Sequence, residues 1–101
     1  MPNNKNKWID AVGKLIALTQ ERKLVWRASG NNNYEADYGG KTLRMYWSHS
    51  NDATELRVMD PSTGVEWSFP TSEVNEHLME AVRYQVVGVG EFLDELLTHT
   101  V

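Results

Sequence analysis

Histidine is the residue type in this chain best suited to metal binding or proton transfer, and it occurs three times, as His49, His77 and His99. No two histidines stand four residues apart, the spacing that lets two imidazoles on one helix face share a metal ion. Residues 77 to 80 lack the second histidine of a zinc-hydrolase helix. We therefore expect no metal site and interpret His77 as a structural or solvated side chain.

His49 is the one candidate general base with candidate nucleophiles beside it in sequence, because Ser48 and Ser50 flank it. Neighbouring residues at a strand end point to opposite faces, and no third group that would orient the imidazole is identifiable. The chain has no cysteine, which excludes thiolate chemistry and disulfides. We expect no catalytic residue and a protein that is not an enzyme.

The glycines Gly88 and Gly90 are superficially similar to a phosphate-binding loop. They follow a predicted helix rather than a strand, and Glu91 comes next, where its charge would repel a phosphate. We interpret the segment as a helix terminator and hinge, and we expect no cofactor.

The elements that position these residues follow from hydrophobic periodicity. Residues 6 to 22 carry apolar residues at helical spacing, which predicts a first helix. Between Leu24 and Phe69 the period changes to two, which predicts five antiparallel strands, and Gly39 and Gly40 give the clearest hairpin turn. The predicted strands are 24 to 28, 34 to 38, 42 to 47, 56 to 58 and 65 to 69, with polar loops or turns at 29 to 33, 49 to 52 and 60 to 64.

Two further helices are predicted after Pro70. Thr71 and Ser72 offer an N-cap for a helix from about Glu73 to Tyr84. Its predicted buried stripe is Val74, Leu78, Ala81, Val82 and Gln85. Residues 86 to 90 break that pattern, and a last short helix follows. We expect its apolar residues to complete the core, and the alternative is a small groove-binding or dimerising helix. These residues are Phe92, Leu93, Leu96 and Leu97.

The chain is thus predicted to be a single α+β domain over residues 1 to 101, with residues 1 to 6 a flexible N-terminus. An N-terminal helix precedes a five-stranded antiparallel meander sheet, and two C-terminal helices pack on one face of that sheet. The predicted core face of the sheet consists of Tyr34, Tyr38, Leu43, Met45, Trp47, Leu56, Val58, Trp67 and Phe69.

Composition fits a soluble globular domain, with 41% hydrophobic and 24% charged residues and four tryptophans. The N-terminus is polar and leads into an amphipathic pattern, so we expect neither a signal peptide nor a membrane span. With no cysteine, a cytoplasmic location is the expectation. Both a monomer and a homodimer are compatible with this composition.

The net charge of −4 hides a gradient along the chain, from +4 over residues 1 to 33 through −3 over residues 34 to 70 to −5 over residues 71 to 101. Packing of the two charged ends against each other would neutralise this dipole, and binding of an oppositely charged partner would do so as well. We favour a non-catalytic protein-interaction module, of the accessory, inhibitor or immunity type, that binds a protein partner through acidic C-terminal helices. The partner-binding residues in this hypothesis are Glu73, Glu76, Glu80, Glu91, Asp94 and Glu95.

The alternative function is nucleic-acid or nucleotide binding on the solvent face of the sheet. Its candidate residues are Arg27, Arg44, Tyr46 and Arg57, a basic and aromatic set of the kind that stacks single-stranded bases. Carboxylates at 35, 37, 55 and 66 are predicted on the same face, where cross-strand ion pairing accounts for all eight residues. Together with the overall acidity, this disfavours nucleic acid as the partner.

Three stretches carry a resemblance to other proteins: residues 23 to 26 after the first helix, residues 34 to 41 with their Gly-Gly turn, and residues 80 to 85 before Gly88 and Phe92. In these turn and packing motifs the chain resembles a scattered group of small prokaryotic or mobile-element proteins of unknown function. The resemblance covers most of the chain and implies an α+β domain. It implies no active site.

Overall fold

The computed structural model of the protein describes residues 4 to 98. Its elements are α1 (Asn4–Gln20), β1 (Arg27–Gly30), β2 (Asn33–Tyr38), β3 (Lys41–Ser48), β4 (Ala53–Met59), β5 (Glu66–Ser68), α2 (Glu73–Val87) and α3 (Val89–Thr98). The predicted α+β order of one helix, five strands and two helices is confirmed.

The sheet is an antiparallel meander in which each strand pairs with the next along the chain. Gly39 and Gly40 have φ values of 58° and 78°, as a two-residue hairpin turn with positive φ at both positions requires. Asn32, at φ 58°, allows a similar tight reversal between β1 and β2. The prediction of a polar loop over residues 29 to 33 is therefore wrong, because β1 continues to Gly30 and β2 begins at Asn33.

The first helix ends two residues earlier than predicted. Arg22 adopts a left-handed conformation with φ 61°, and the Lys23 backbone N–H donates to the Leu18 carbonyl over 2.9 Å. These are the features of a Schellman C-cap, which satisfies the last helical carbonyls.

The first strand begins at Arg27 rather than at Leu24. Leu24 and Trp26 are buried, as alternation predicts, but the Trp26 backbone N–H donates over 2.7 Å to the side chain of Gln85 on α2. A backbone donor used in this way is not available to a strand ladder. Residues 24 to 26 therefore belong to the core without being part of the sheet.

The core lies between one face of the sheet and the helices α1 and α2. Of the predicted core residues of the sheet, Leu43, Met45 and Leu56 are buried, and Tyr34, Val58 and Phe69 pack partly buried against them. The remaining members of the buried cluster are Val12, Leu15, Leu18, Leu24, Trp26, Ala36, Leu78, Met79 and Val82.

Two residues predicted for the core face are exposed. Tyr38 has 51% of its surface exposed and Trp67 has 42%, and Trp47 is only half-buried. Tyr38 is the last residue of β2, and Trp67 lies on the edge strand β5. Alternation gives the face of a strand residue, whereas the extent of the covering helices decides its burial. Trp67 still packs against Trp8 of α1, with ring centroids 4.5 Å apart.

The second helix is longer than predicted. The Ser72 side chain caps it by accepting from the Val74 N–H, and α2 ends at Gly88, whose φ of 75° is left-handed. Its buried face includes Asn75 and Met79, which the predicted stripe lacks, while three predicted stripe members are only partly buried. These three are Val74, Ala81 and Gln85. The helix is thus turned relative to the prediction, because it packs against both α1 and β4.

The prediction that the last helix completes the core is wrong, since no residue of α3 is buried. Only Gly88 interrupts the helical pattern, and Gly90 lies inside α3. The Cα radius of gyration is 15.2 Å, against about 13 Å for a typical 100-residue domain. The long axis measures 57 Å, and the two shorter axes measure 30 and 29 Å.

Candidate interaction surface

The histidines are not brought together. His49 lies in the turn between β3 and β4, and His77 lies exposed on α2. His99 falls outside the described residues. Within residues 4 to 98 no group of three or more histidine, aspartate and glutamate side chains could hold a metal ion.

The two serines beside His49 take part in the turn. The Ser48 and Ser50 hydroxyl oxygens are hydrogen-bonded over 3.2 Å, and the Asn51 backbone N–H donates to the Ser48 oxygen over 3.3 Å. These contacts stabilise the reversal between β3 and β4. They give both serines a structural role at the end of the strand.

The outer face of the sheet carries an ion-pair network that involves all eight residues of the predicted cross-strand set. The carboxylate of Glu66 accepts from Arg44 over 2.6 Å and from Arg57 over 3.2 Å. Arg44 also lies 3.5 Å from Glu35, and Glu55 accepts from the Tyr46 hydroxyl over 2.9 Å. Arg27 pairs with Glu35 and Asp37. The prediction that cross-strand pairing accounts for these charges is confirmed.

This network shifts the pKa values of Glu66, Glu55 and Tyr46. Hydrogen bonds from Arg44 and then Arg57 lower the pKa of Glu66, and the hydrogen bond from Tyr46 is the main cause that lowers the pKa of Glu55. Burial and the hydrogen bond to Glu55 raise the pKa of Tyr46. The three arginines of the candidate nucleic-acid face thus already serve four carboxylates.

The acidic residues of the C-terminal helices have fewer ion-pair partners than those of the sheet. On α2, Glu73, Glu76 and Glu80 follow one another at spacings of three and four residues, so they share the exposed side of the helix. Glu76 accepts a hydrogen bond from the Thr54 backbone N–H over 3.3 Å. Among the described residues, none of these three has a cationic partner within ion-pair distance.

The third helix is amphipathic and is exposed from Glu91 to Thr98. Its exposed apolar side chains are Phe92 (60%), Leu93 (42%), Leu96 (59%) and Leu97 (80%). On a helix with 3.6 residues per turn, these four share one side, and Glu91, Asp94 and Glu95 lie on the opposite side. Glu91 forms an ion pair with Arg22, the residue at the end of α1. Asp94 and Glu95 are exposed and have no ion-pair partner within the described part of the chain.

A groove of about 400 Å³ runs between α1 and α2 and ends where α3 begins. Ile16 of α1 and Ala81 and Tyr84 of α2 supply its apolar lining. Arg22 and His77 supply basic groups, and the remaining lining residues are Thr19, Gln20, Glu80 and Gln85. The groove thus combines apolar and polar lining residues.

Sequence reasoning identified the six acidic residues but missed the groove and the tie between Arg22 and Glu91. The groove depends on the packing of two helices that are about 60 residues apart in sequence. The only available signal was the opposite charge of the two ends of the chain. The opposite charge of the two ends does not show which individual residues pair with each other.

Comparison of the chain with protein-family models, with curated proteins and with solved structures finds no match. None of the described helices has the length and apolar character needed to cross a membrane.

Proposed function

We propose that the chain is a non-catalytic protein-interaction module, of the accessory, inhibitor or immunity type, that binds a basic partner protein through the acidic exterior of α2 and α3. The observation that carries the proposal is a contrast between two sets of carboxylates. Those on the sheet are neutralised by arginines of the same face, whereas of the six on the C-terminal helices only Glu91 has an ion-pair partner among the described residues.

Unpaired carboxylates along α2 and α3 create a negative field that extends into solvent. Such a field steers a positively charged partner and raises its association rate, more strongly at low salt than at high salt. Residues 71 to 101 contain one arginine, Arg83, and no lysine. The exterior of α2 and α3 therefore carries little positive charge.

The test uses a variant that removes three charges without disturbing the fold. Glu80→Gln, Asp94→Asn and Glu95→Gln change exposed side chains that lack an ion-pair partner in residues 4 to 98. Glu76 is left intact because it accepts the Thr54 N–H, so its replacement would mix binding with stability. The matched control carries Asp10→Asn, Glu21→Gln and Asp52→Asn, which also remove three exposed carboxylates but lie outside the C-terminal helices.

Wild-type chain, variant and control are immobilised and exposed to an extract of the organism that encodes the chain. We expect wild type and control to retain a basic protein, which mass spectrometry identifies, and the triple variant to lose it. With purified components, binding should be stronger at low salt than at high salt. Equal retention by all three chains would reject the acidic surface.

A further inference from the structure

The apolar side of α3 lacks a covering surface in the described part of the chain. Its four large apolar residues are between 42% and 80% exposed, and no residue of the helix is buried. A helix of ten residues is marginal in water without tertiary packing. Burial of this side against another surface would therefore stabilise α3 as well as the contact.

The groove between α1 and α2 adjoins this apolar side. Gly90 lies so close to Tyr84 that a β-carbon on it would be 3.6 Å from the Tyr84 ring. Leu93 and Leu97 follow Gly90 at spacings of three and seven, so they lie on the same side of α3 as this contact. Tyr84 also lines the groove, which makes the groove and the apolar side of α3 two parts of one surface bent at Gly88.

In length, the groove matches a helix such as α3, and part of its lining is apolar. At 1.5 Å per residue, α3 is about 15 Å long, and the α2 wall of the groove from His77 to Gln85 is about 14 Å long. Ile16 and Ala81 present apolar surface to such a helix. Arg22 at the groove is already paired with Glu91 of the same chain, and Glu80 also lines the groove, so the contact with a docked helix is apolar rather than ionic.

The α3 helix of the same chain cannot occupy this groove. Only Gly88 separates α2 from α3, and two antiparallel helices need a connection of about two to five residues. Reversal of α3 along α2 would also unwind the end of α2, where the Gly88 N–H is hydrogen-bonded to carbonyls of the last turn. An α3 helix seated in this groove therefore has to belong to another copy of the chain.

We infer that α3 of one copy docks into the α1–α2 groove of a second copy, and reciprocally, to form a two-fold symmetric dimer. This inference rests on the proposed function, in that it takes the C-terminal helices as the interaction surface. Docking of the apolar side leaves Asp94 and Glu95 at the outer side of the dimer, available to a basic partner.

The available area is sufficient for such a dimer. At the stated exposures, the four apolar side chains of α3 and Tyr84 present roughly 500 Å² per copy, so reciprocal docking buries about 1,000 Å² from these residues alone. The groove walls that they cover add to this figure. A specific interface needs about 1,000 Å² in total.

The first test is the oligomeric state of the full chain by sedimentation velocity from about 1 to about 200 µM, a range that spans moderate affinities. We expect a concentration-dependent shift from one chain to two. Leu96→Glu should weaken dimerisation by at least about tenfold, because it places a charge at the centre of the apolar contact. Val65→Glu is the matched control, since Val65 is similarly exposed (66%) but lies outside the helices, and it should change the dissociation constant less than about twofold.

The second test locates the contact and uses the absence of native cysteine. Ala81→Cys chains and Leu96→Cys chains are mixed and treated with a short bismaleimide. We expect the mixed product to exceed either homodimeric product. Predominance of the product that joins two Leu96→Cys chains would overturn docking in the groove, because it indicates contact between the two α3 helices.

A chain that stays monomeric over the whole range would overturn the dimer. If that monomer binds a lysine-rich amphipathic helical peptide through Phe92 and Leu96, the occupant of the apolar side is a basic helix rather than a second copy. The proposed function is tested separately with Asp94→Asn and Glu95→Gln alone, because these two side chains lie opposite the apolar side of α3, whereas Glu80 lines the groove.

Discussion

The side-chain amide of Gln85 on α2 accepts the backbone N–H of Trp26 over 2.7 Å, although the two residues are 59 positions apart. The same amide donates to the carbonyls of Thr19 and Leu24, each over 2.9 Å. The Trp26 indole N–H donates to the Thr19 hydroxyl over 2.9 Å. One glutamine thus satisfies backbone groups at the end of α1 and in the segment that enters the sheet.

Replacement of Gln85 by Ala should lower the free energy of unfolding by about 2 to 4 kcal/mol, because it leaves the Trp26 N–H and the Leu24 carbonyl without a protein partner in a partly buried site, whereas the Thr19 carbonyl still accepts from the Arg22 N–H. Urea unfolding followed by circular dichroism measures this loss. Gln20→Ala, at the exposed end of α1, is the control and should change stability by less than about 0.5 kcal/mol. Equal stability of the two variants would contradict a structural role of the Gln85 contacts.

Gly88 and Gly90 should respond in opposite ways to alanine. Gly88 has a φ of 75°, so an alanine there is strained by about 1 kcal/mol and should speed amide hydrogen exchange over residues 89 to 98. Gly90 lies inside α3, where alanine is favoured by about 0.5 to 1 kcal/mol, and its β-carbon would make an ordinary contact with Tyr84. Gly90→Ala should therefore slow exchange by about two- to fivefold. Faster exchange in both variants would show that α3 is not helical in solution.

The ion-pair network on the sheet should make stability depend on pH in the acidic range. Because Arg44 and Arg57 lower the pKa of Glu66 below its ordinary value of 4.5, this carboxylate stabilises the fold at pH values above 4.5. The contribution is lost as the pH falls through the lowered pKa of the folded state. Glu66→Gln should have a lower Tm than wild type at pH 7 and a smaller loss of Tm between about pH 5 and pH 3.

The matched control for this prediction is Glu95→Gln. Glu95 is exposed on α3 and lacks an ion-pair partner within residues 4 to 98. Its pH profile should follow that of the wild type. Parallel profiles for Glu66→Gln and wild type would mean that the Glu66 contacts do not contribute to folding stability.

Single-stranded nucleic acid should not bind to the sheet in a saturable, salt-dependent way. The arginines at 27, 44 and 57 are engaged by four carboxylates of the same face, so phosphate would have to displace those contacts. Fluorescence anisotropy with a labelled oligothymidine at about 50 and about 200 mM salt checks this. Saturable binding at low salt that Arg44→Gln abolishes would instead support the nucleic-acid alternative.

Local sequence determined the order and type of the elements. Two consecutive glycines at 39 and 40, the Ser72 cap and the alternation through β3 and β4 each act over a few residues, so their effect can be read before any tertiary contact is known. The six acidic residues of the candidate surface were identified for the same reason, since charged residues at helical spacing mark an exposed side.

Tertiary structure decided which of the apolar residues are covered. Tyr38 and Trp67 alternate as core residues do, yet both remain exposed because α1 and α2 cover only part of the sheet. The helix α3 has an apolar side, yet none of its residues is buried. Periodicity specifies the direction of a side chain relative to its own backbone. Whether another element lies in that direction depends on the path of the whole chain, and here one glycine, Gly88, directs the last helix away from the core.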